Sequence, residues 1–213
     1  SWFARQGIAL YAYDQRGFGR SPSPGMWAGE EALTSDALTA LRLVAARHPG
    51  VPVYLLGDSM GGAVALAALA QVQPPELAGV ILAAPAVRGR EAMPILHRAA
   101  LGLGAHSAPW LYLSPQGLDI LPSDNLPMLR AQSADPLVLK GSRVDALWGL
   151  VDLMDRALEV APRHRARTLL LYGRRDEVIP PPGTKLLLER LPRDRLTVAL
   201  YPEGYHMLLR DLQ

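Results

Sequence analysis

Short apolar runs punctuate the chain, and each is bounded by glycine, proline or polar residues. Runs of five or six residues with such boundaries are typical of buried β-strands. They fall at residues 8–13, 51–56, 79–83, 168–173 and 196–201. Helical patterns separate most of these runs. The alternation predicts an α/β fold with a mostly parallel sheet and helices on both of its faces.

Three segments between the runs predict helices, at residues 32–47, 61–71 and 183–191. In the first, apolar residues recur three or four positions apart: Leu33, Ala37, Leu41 and Val44. The second contains no proline and is rich in alanine and leucine, which favour helices. Residues 1–7 are typical of the end of a helix that Gly7 closes, and residues 208–213 of the start of one. We interpret both ends as cuts in a longer chain.

Residues 87–167 break this alternation. They contain no clear strand, and in their second half apolar residues recur at helical spacing: Val144, Leu147, Trp148 and Val151. Prolines and glycines interrupt the first half. Because a structureless loop of this length is uncommon in a compact domain, we predict an inserted helical lid. It divides the α/β core into residues 1–86 and 168–213.

The second apolar run leads into Gly57-Asp58-Ser59-Met60-Gly61, and an alanine-rich helical segment follows. A strand, a tight turn and a helix in this order are typical of a nucleophile elbow, which exposes the serine hydroxyl for attack on a carbonyl. We expect glycine at both flanks because a side chain there would crowd the turn. The alternative is a glycine-rich loop with an ordinary serine, which the strand–turn–helix context disfavours.

A serine nucleophile requires a general base, and the five histidines are the candidates. Active groups in open α/β sheets lie beyond the carboxyl ends of the strands. His206 follows the last predicted strand through a turn-rich loop, whereas His48 closes a helix and His97 and His106 fall in the lid. His164 stands between two arginines and is interpreted as part of a solvated basic linker. Position therefore favours His206.

The base requires an acid to orient it, and Asp176 leaves the strand predicted at residues 168–173. Glu177 is the alternative, but the apolar sequence after it is expected to turn back towards the fold. The resulting order along the chain is Ser59, Asp176, His206. Nucleophile, acid and histidine follow one another in this order in α/β-hydrolases, unlike in two other common groups of serine hydrolases.

Four motifs carry a resemblance to a known family: Tyr13-Asp14-Gln15-Arg16-Gly17-Phe18-Gly19-Arg20-Ser21, Gly57-Asp58-Ser59-Met60-Gly61-Gly62, Gly173-Arg174-Arg175-Asp176 and Glu203-Gly204-Tyr205-His206. With them the chain resembles the monoacylglycerol lipase and lysophospholipase branch of the α/β-hydrolases, which is also grouped with serine aminopeptidase-like (S33) hydrolases. The resemblance extends over nearly all of the chain outside the lid. It implies that Ser59 is the nucleophile, Asp176 the acid and His206 the base.

The expected oxyanion hole is only half present in this sequence. The residue after the nucleophile supplies one donor, the Met60 backbone N–H. In the family, a His-Gly motif after an early strand supplies the second donor, and that motif would precede Ser1. The same strand lies in the family between those that match residues 8–13 and 53–56. We interpret the sequence as a fragment without its N-terminal strands, and the alternative is a relic that stabilises the oxyanion poorly.

A serine nucleophile with an acid and a base, here Ser59, Asp176 and His206, predicts ester hydrolysis through an acyl-enzyme. The resemblance implies monoacylglycerol- or lysophospholipid-like esters as substrates. Two alternatives stay open: a peptidase or amide hydrolase on the same fold, and a non-catalytic binding protein that retains it. A binding role would not require nucleophile, acid and base together. No metal or organic cofactor is expected.

Apolar lid residues are the candidates for contact with substrate: Met93, Ile95, Leu96, Trp110, Leu111, Tyr112, Leu113, Leu147, Trp148 and Leu150. We select Trp110, Leu113 and Trp148 as the substrate-binding residues, since an apolar lid over a serine site favours an acyl chain as ligand. The alternative is that these residues only pack the lid onto the core. Asp14 and Arg16 are interpreted as structural, since the glycines beside them indicate turns.

Composition limits the remaining classes of partner. The chain has 213 residues, 49% of them hydrophobic, with 22 basic and 20 acidic residues and a net charge of +2. This near balance argues against nucleic acid as a partner. The absence of cysteine excludes a thiol nucleophile, and no apolar run is long enough to span a bilayer. We expect transient contact with a membrane surface at most, and a cytoplasmic or membrane-peripheral location in a bacterium. The oligomeric state stays open.

Overall fold

The computed structural model describes residues 2–114, 117 and 119–212. Within them the strands are β1 (Val53–Asp58), β2 (Leu77–Ala83), β3 (Tyr112–Leu113), β4 (Ser142–Arg143), β5 (Thr168–Gly173) and β6 (Leu196–Tyr201). The helices are α1 (Trp2–Arg5), α2 (Glu30–Arg47), α3 (Met60–Gln71), α4 (Ile95–Ser107), α5 (Leu126–Ala134), α6 (Val144–Val160) and α7 (Pro181–Arg190). Short 3₁₀ turns at Ala161–Arg163 and Arg193–Arg195 precede β5 and β6. In these ranges, no helix has the length and apolar character needed to cross a membrane.

Four strands form the main sheet in the order β1-β2-β5-β6, and every neighbouring pair is parallel. Parallel neighbours require crossover connections, and helices supply them here, as the alternation predicts. Because the strands are parallel, their carboxyl ends lie at one edge of the sheet. The segments that carry Ser59, Asp176 and His206 all leave this edge.

Residues 8–13, predicted as a strand, do not form one. The described residues provide no neighbouring strand for them, and β1 pairs on one side only, with β2. An extended segment without a partner forms no ladder of hydrogen bonds. Its apolar side chains are exposed as a result: Ile8, Leu10, Tyr11 and Tyr13. The prediction was wrong because a strand depends on its partner as well as on its own sequence.

The core lies where α2, α3, α6 and α7 pack with the sheet. Helix α3 contacts α2, α6 and β1, and every residue from Gly62 to Leu69 is buried. Its small alanine side chains allow the neighbouring elements to approach closely. Fully buried leucines of the surrounding elements fill the remaining space: Leu33, Leu82, Leu153, Leu170 and Leu187. Close packing of this kind fixes the start of α3, where Ser59 lies.

The region between β2 and β5 is mainly helical and contains α4, α5 and α6. Helices α4 and α5 have no buried residue. Helix α6 contacts α3, and its Leu153, Ala157 and Leu158 belong to the main hydrophobic core. Strands β3 and β4 pair as an antiparallel ribbon of two residues each, which is too short for an apolar alternation to predict.

The two ends of the described chain follow the prediction to different extents. Helix α1 is closed by Gly7, whose φ of 73° is the left-handed value that commonly ends helices. Residues 208–212, predicted as the start of a helix, form turns instead. The Asp211 carboxylate there accepts the Tyr205 N–H, and such side-chain bonds to the backbone compete with helix formation. Ser1 and Gln213 lie outside the described residues.

Candidate active site

Ser59 lies in the turn between β1 and α3, with φ 50° and ψ −117°. A positive φ is strained for a residue with a side chain and costs about 1–3 kcal/mol. Backbone bonds hold this conformation: the Ser59 N–H donates to the Ala83 carbonyl (2.9 Å), and the Ser59 carbonyl accepts the Ala86 N–H (2.8 Å). A strained serine between a strand and a helix is the geometry of a nucleophile elbow.

Close backbone contacts at two glycines shape this turn. A Cβ on Gly57 would overlap the Gly61 carbonyl. On Gly61 itself, the nearest described atom to a Cβ would be the Gln15 amide nitrogen, at 4.0 Å. The second close approach is at Gly62, where a Cβ would lie 2.6 Å from the Pro85 Cβ. The prediction of crowding at Gly61 was wrong. The crowded position is Gly62, because Pro85, which follows β2, approaches the turn there.

Met60 follows Ser59 directly and is the first residue of α3. The N–H groups in the first turn of a helix have no acceptor within the helix. The helix dipole also makes this end attractive to negative charge. The Met60 N–H is therefore suited to an oxygen that develops charge beside Ser59, and its role as an oxyanion donor stays a prediction.

His206 connects Ser59 to Asp176 through two hydrogen bonds. Its Nε2 lies 3.0 Å from the Ser59 Oγ, and its Nδ1 lies 2.9 Å from the Asp176 Oδ2. A carboxylate only accepts hydrogen bonds, so Nδ1 carries the proton and Nε2 accepts the serine hydroxyl. His206 is 8% exposed and Asp176 4%. The three residues selected from the sequence thus meet in an arrangement that lets the imidazole remove the hydroxyl proton.

The loop that follows β5 holds the Asp176 carboxylate. Its Oδ1 accepts the N–H groups of Val178 (2.9 Å) and Ile179 (2.8 Å), which leaves Oδ2 for His206. The Tyr172 hydroxyl donates to the Ile179 carbonyl at 2.8 Å, and burial raises the pKa of this hydroxyl. The two backbone N–H bonds to Oδ1 fix the position of the carboxylate, so that Oδ2 faces His206.

Glu177, the alternative acid, bonds to the segment predicted as the lid. Its Oε2 accepts the Leu121 N–H at 3.1 Å. Adjacent carboxylates therefore serve different partners, since Asp176 contacts the histidine and Glu177 contacts a backbone amide. This difference favours Asp176 over Glu177 as the orienting acid.

A cavity of about 410 Å³ opens beside Ser59. Its volume falls in the range of small-molecule binding sites. Arg88 and His97 are the ionisable residues among its described lining. The rest of the lining is apolar apart from Ser59: Met60, Ala86, Met93, Leu101, Leu147, Leu150, Val151, Met154, Val178 and Ile179. Such a lining suits an extended apolar group placed next to the serine.

The structure does not bring Trp110, Leu113 and Trp148 to this cavity. Trp110 and Leu113 are 66% and 45% exposed on the surface of the lid. Trp148 stacks instead with its neighbours. The Arg90 guanidinium lies 4.2 Å from the centre of its ring, and the His106 ring meets it edge to face at 5.4 Å. Their selection as substrate-binding residues therefore has no support from the cavity.

Three of the wider set of lid candidates do line the cavity: Met93, Leu147 and Leu150. Val151 and Met154 line it as well and were missed. On α6 the lining positions recur three or four residues apart, which places them on one face. Trp148 follows Leu147 by one position and is rotated from it by about 100° around the helix axis. Leu150 and Val151 are also one position apart and both line the cavity, so helical spacing alone does not exclude Trp148 from the lining.

Charged residues brace the loop after residue 13. The Arg16 Nε lies 2.6 Å from the Asp36 Oδ2 of α2. The Asp14 carboxylate accepts the Arg20 N–H at 2.9 Å. Asp14 and Arg16 thus make the structural contacts expected of them.

A parallel sheet, a strained serine after a strand, and a hydrogen-bonded Ser-His-Asp set are together the features of an α/β-hydrolase. Comparison with known proteins supports the same class and narrows it. The family described as serine aminopeptidase, S33, matches residues 1–213. The chain belongs to this family, which confirms the resemblance that the four motifs carry.

Individual relatives show the same similarity. The monoacylglycerol lipase of Mycolicibacterium smegmatis is 29% identical over 212 residues, which cover 98% of this chain and 75% of that protein. The monoglyceride lipase of Rattus norvegicus is 30% identical, over 98% of this chain and 69% of that protein. The crystal structure of a Paleococcus ferrophilus monoacylglycerol lipase matches with a TM-score of 0.80 at 28% identity, over 100% of this chain and 80% of that chain. The predicted fold class is confirmed.

Proposed function

We propose that the protein is a carboxylic-ester hydrolase that works through an acyl-enzyme. In this proposal Ser59 is the nucleophile, His206 the general base and Asp176 the group that orients the imidazole. The observation that carries the proposal is the hydrogen-bond chain from the Ser59 Oγ through His206 to Asp176, with distances of 3.0 and 2.9 Å. This chain stands beside an apolar cavity that can hold the remainder of an ester.

The chemistry follows from the positions of these atoms. The Ser59 Oγ attacks the ester carbonyl while the His206 Nε2 takes its proton. The buried Asp176 stabilises the resulting imidazolium, and the Met60 N–H donates to the oxyanion. His206 then returns the proton to the leaving alcohol, and the acyl group stays on Ser59. A water molecule activated by His206 releases the acid and restores the serine.

We infer monoacylglycerol- or lysophospholipid-like esters as the substrates. An acyl chain in the cavity would leave water for a surface of leucine, methionine, valine and isoleucine side chains. Such burial contributes about 0.8 kcal/mol for each CH₂ group. The relatives described above carry the names of monoacylglycerol and monoglyceride lipases, which favours the same class of ester.

Lipid substrates imply brief contact with a membrane surface, and the lid offers apolar side chains for it. Four of them, on α4 and next to β3, are 66% to 78% exposed: Ile95, Leu96, Leu103 and Trp110. We expect the wild type to sediment weakly with phosphatidylcholine vesicles, and Leu96→Ser to weaken this binding. Leu43→Ser is the matched control, because Leu43 is 67% exposed on α2. Equal sedimentation of both variants would exclude the lid as the contact surface.

Ser59→Ala tests the nucleophile. We expect kcat for p-nitrophenyl esters to fall about 10⁴-fold or more, since members of a triad act as a unit. A fluorophosphonate probe should label the wild type and not the variant. Ser107→Ala removes another hydroxyl, one that donates to the Leu103 carbonyl within α4, and should leave both readouts unchanged. Most of the activity surviving in Ser59→Ala would contradict the proposal.

A peptidase or amide hydrolase is the second candidate, because the family is described as serine aminopeptidase. The two candidates differ in the scissile bond and share the proposed nucleophile. A comparison of kcat/KM across monoacylglycerols, lysophospholipids and peptide anilides decides between them. We expect the esters to be preferred, and preference to rise with acyl length until the cavity is filled. Faster turnover of the anilides would transfer the assignment to the peptidase.

A further inference from the structure

A short lid segment before α5 is bonded to the loop that carries His206. The Pro122 carbonyl accepts the Met207 N–H at 2.9 Å. The Ser123 hydroxyl donates to the Asp211 Oδ1 at 2.7 Å. These two bonds join residues that lie more than 80 positions apart in the chain, so they connect the lid to the segment that follows β6.

Asp211 extends this connection to the other side of the histidine. Its second oxygen, Oδ2, accepts the Tyr205 N–H at 2.8 Å. Tyr205 and Met207 are the residues immediately before and after His206. Asp211 therefore holds the backbone at Tyr205, just before the histidine. The lid segment holds it at Met207, just after the histidine.

One end of the bond between Ser123 and Asp211 is buried, and the Asp211 end is half-buried. Ser123 is 0% exposed, and its hydroxyl oxygen also accepts the Asn125 N–H at 3.2 Å. Loss of the hydroxyl would leave the Oδ1 of the half-buried Asp211 without this donor. A partly buried acceptor that loses its donor is destabilised, and movement of the loop is the way to avoid that cost.

We infer that Ser123 and Asp211 are positioning residues that set the orientation of the His206 imidazole, so that the lid holds the base as well as covering the cavity. The imidazole must satisfy two partners at once, Ser59 and Asp176. A displacement of about 1 Å in such a site can cost on the order of 10²-fold in rate. The consequence for catalysis rests on the proposed function, whereas the effect on the ring orientation does not.

The first test observes the His206 ring without any substrate. In the full chain labelled with ¹⁵N-histidine, the shifts of the ring nitrogens report the tautomer, and His206→Ala assigns the signal. We expect the wild type to hold the proton on Nδ1, and Ser123→Ala to give a mixture of tautomers. Ser107→Ala, the same substitution elsewhere in the lid, should match the wild type. A folded Ser123→Ala variant with the wild-type tautomer would overturn the inference.

Ester hydrolysis supplies the second readout. We expect Ser123→Ala and Asp211→Ala to lower kcat by about 10- to 100-fold, with little change in KM. Asp211→Asn retains one acceptor oxygen and should fall between Asp211→Ala and the wild type. Asp211→Ala also keeps the inference testable if Ser123→Ala does not fold. A rise in KM with kcat unchanged would assign Ser123 to substrate binding and overturn the inference.

A double-mutant cycle separates positioning from general destabilisation. In a His206→Ala background, Ser123→Ala should cause no further loss of residual activity, because its effect passes through the imidazole. Equal losses in both backgrounds would overturn the inference. If the wild type hydrolyses no ester and the tautomer still responds to Ser123→Ala, the proposed function fails and the positioning role stands.

Discussion

Two histidines are almost equally hidden from solvent, and their ring nitrogens meet opposite environments. His206 is 8% exposed and His164 is 5% exposed. Both ring nitrogens of His206 are hydrogen-bonded, to Asp176 and to Ser59. The His164 Nε2 has no hydrogen-bond partner among the described residues, and burial lowers its pKa to about 4. Burial alone therefore does not distinguish the two histidines, whereas hydrogen-bond partners on both ring nitrogens do.

His164 also corrects an expectation, since it is not part of a solvated linker. Residues 164–168 are alternately buried and exposed. This period of two is that of an extended chain with one face towards the core. The arginines on either side of His164 are exposed to solvent, and they account for the basic charge of this segment.

Substitution of each histidine in turn is the strongest way to test this contrast. We expect His206→Ala to lower kcat for ester hydrolysis by about 10⁴-fold or more, because it removes the proposed base. His164→Gln should leave kcat close to that of the wild type, because His164 has no link to the hydrogen-bond chain at Ser59. Steady-state kinetics with a p-nitrophenyl ester measures both variants. A comparable loss of kcat in folded His164→Gln would contradict the contrast.

The partner of the His206 Nδ1 can be tested with adjacent carboxylates. Asp176→Asn is expected to lower kcat by about 10⁴-fold, since an amide permits the wrong imidazole tautomer. Glu177→Gln keeps an oxygen that can accept the Leu121 N–H and should change kcat little. The two variants have the same change of charge and differ by one position in the chain. The reverse order of effects would assign the orienting role to Glu177.

Parts of the site that depend on local chain geometry could be predicted from the sequence. Ser59 stands between an apolar strand and an alanine-rich helix, and this order alone predicts the turn. Asp176 and His206 follow strands, and the parallel sheet brings the carboxyl ends of its strands to one edge. The glycine at position 57 belongs to the same local pattern.

Parts that depend on contacts between distant segments could not be predicted. Pro85 crowds the elbow from beyond β2, so the requirement for glycine falls on Gly62 and not on Gly61. Ser123 reaches Asp211 across 88 positions, and no periodicity in either segment reveals the pairing. The strand predicted at residues 8–13 failed for the same reason, since a strand exists only with its partner.

The partner of the His206 Nε2 depends on the elbow, and two glycines test that dependence. We expect Gly57→Ala to lower the free energy of unfolding by about 1–3 kcal/mol, because its Cβ would overlap the Gly61 carbonyl. The shift of Ser59 that relieves this overlap should also lower kcat. Gly61→Ala has room for its Cβ and should be neutral or slightly stabilising in α3. Thermal unfolding followed by circular dichroism, with kcat measured in parallel, compares the two, and equal destabilisation would contradict this account.

The buried His164, whose Nε2 has no hydrogen-bond partner among the described residues, predicts how stability depends on pH. The folded state lowers the pKa from 6.5 to about 4, so between these values the unfolded chain binds more protons than the folded one. The free energy of unfolding therefore falls as the pH is lowered through this window, by about 2 kcal/mol at about pH 5 from this group alone. Urea unfolding at about pH 7.5 and about pH 5 measures the loss.

His164→Gln has no charge to gain and should lose less stability than the wild type between the two pH values, by about 2 kcal/mol. Comparing each variant with itself at two pH values cancels the pH-independent cost of the substitution. His97→Gln is the control, because His97 is exposed at the cavity, and it should reproduce the wild-type response. If His164→Gln loses as much stability as the wild type, His164 has a partner that accepts its charge, and the contrast with His206 fails.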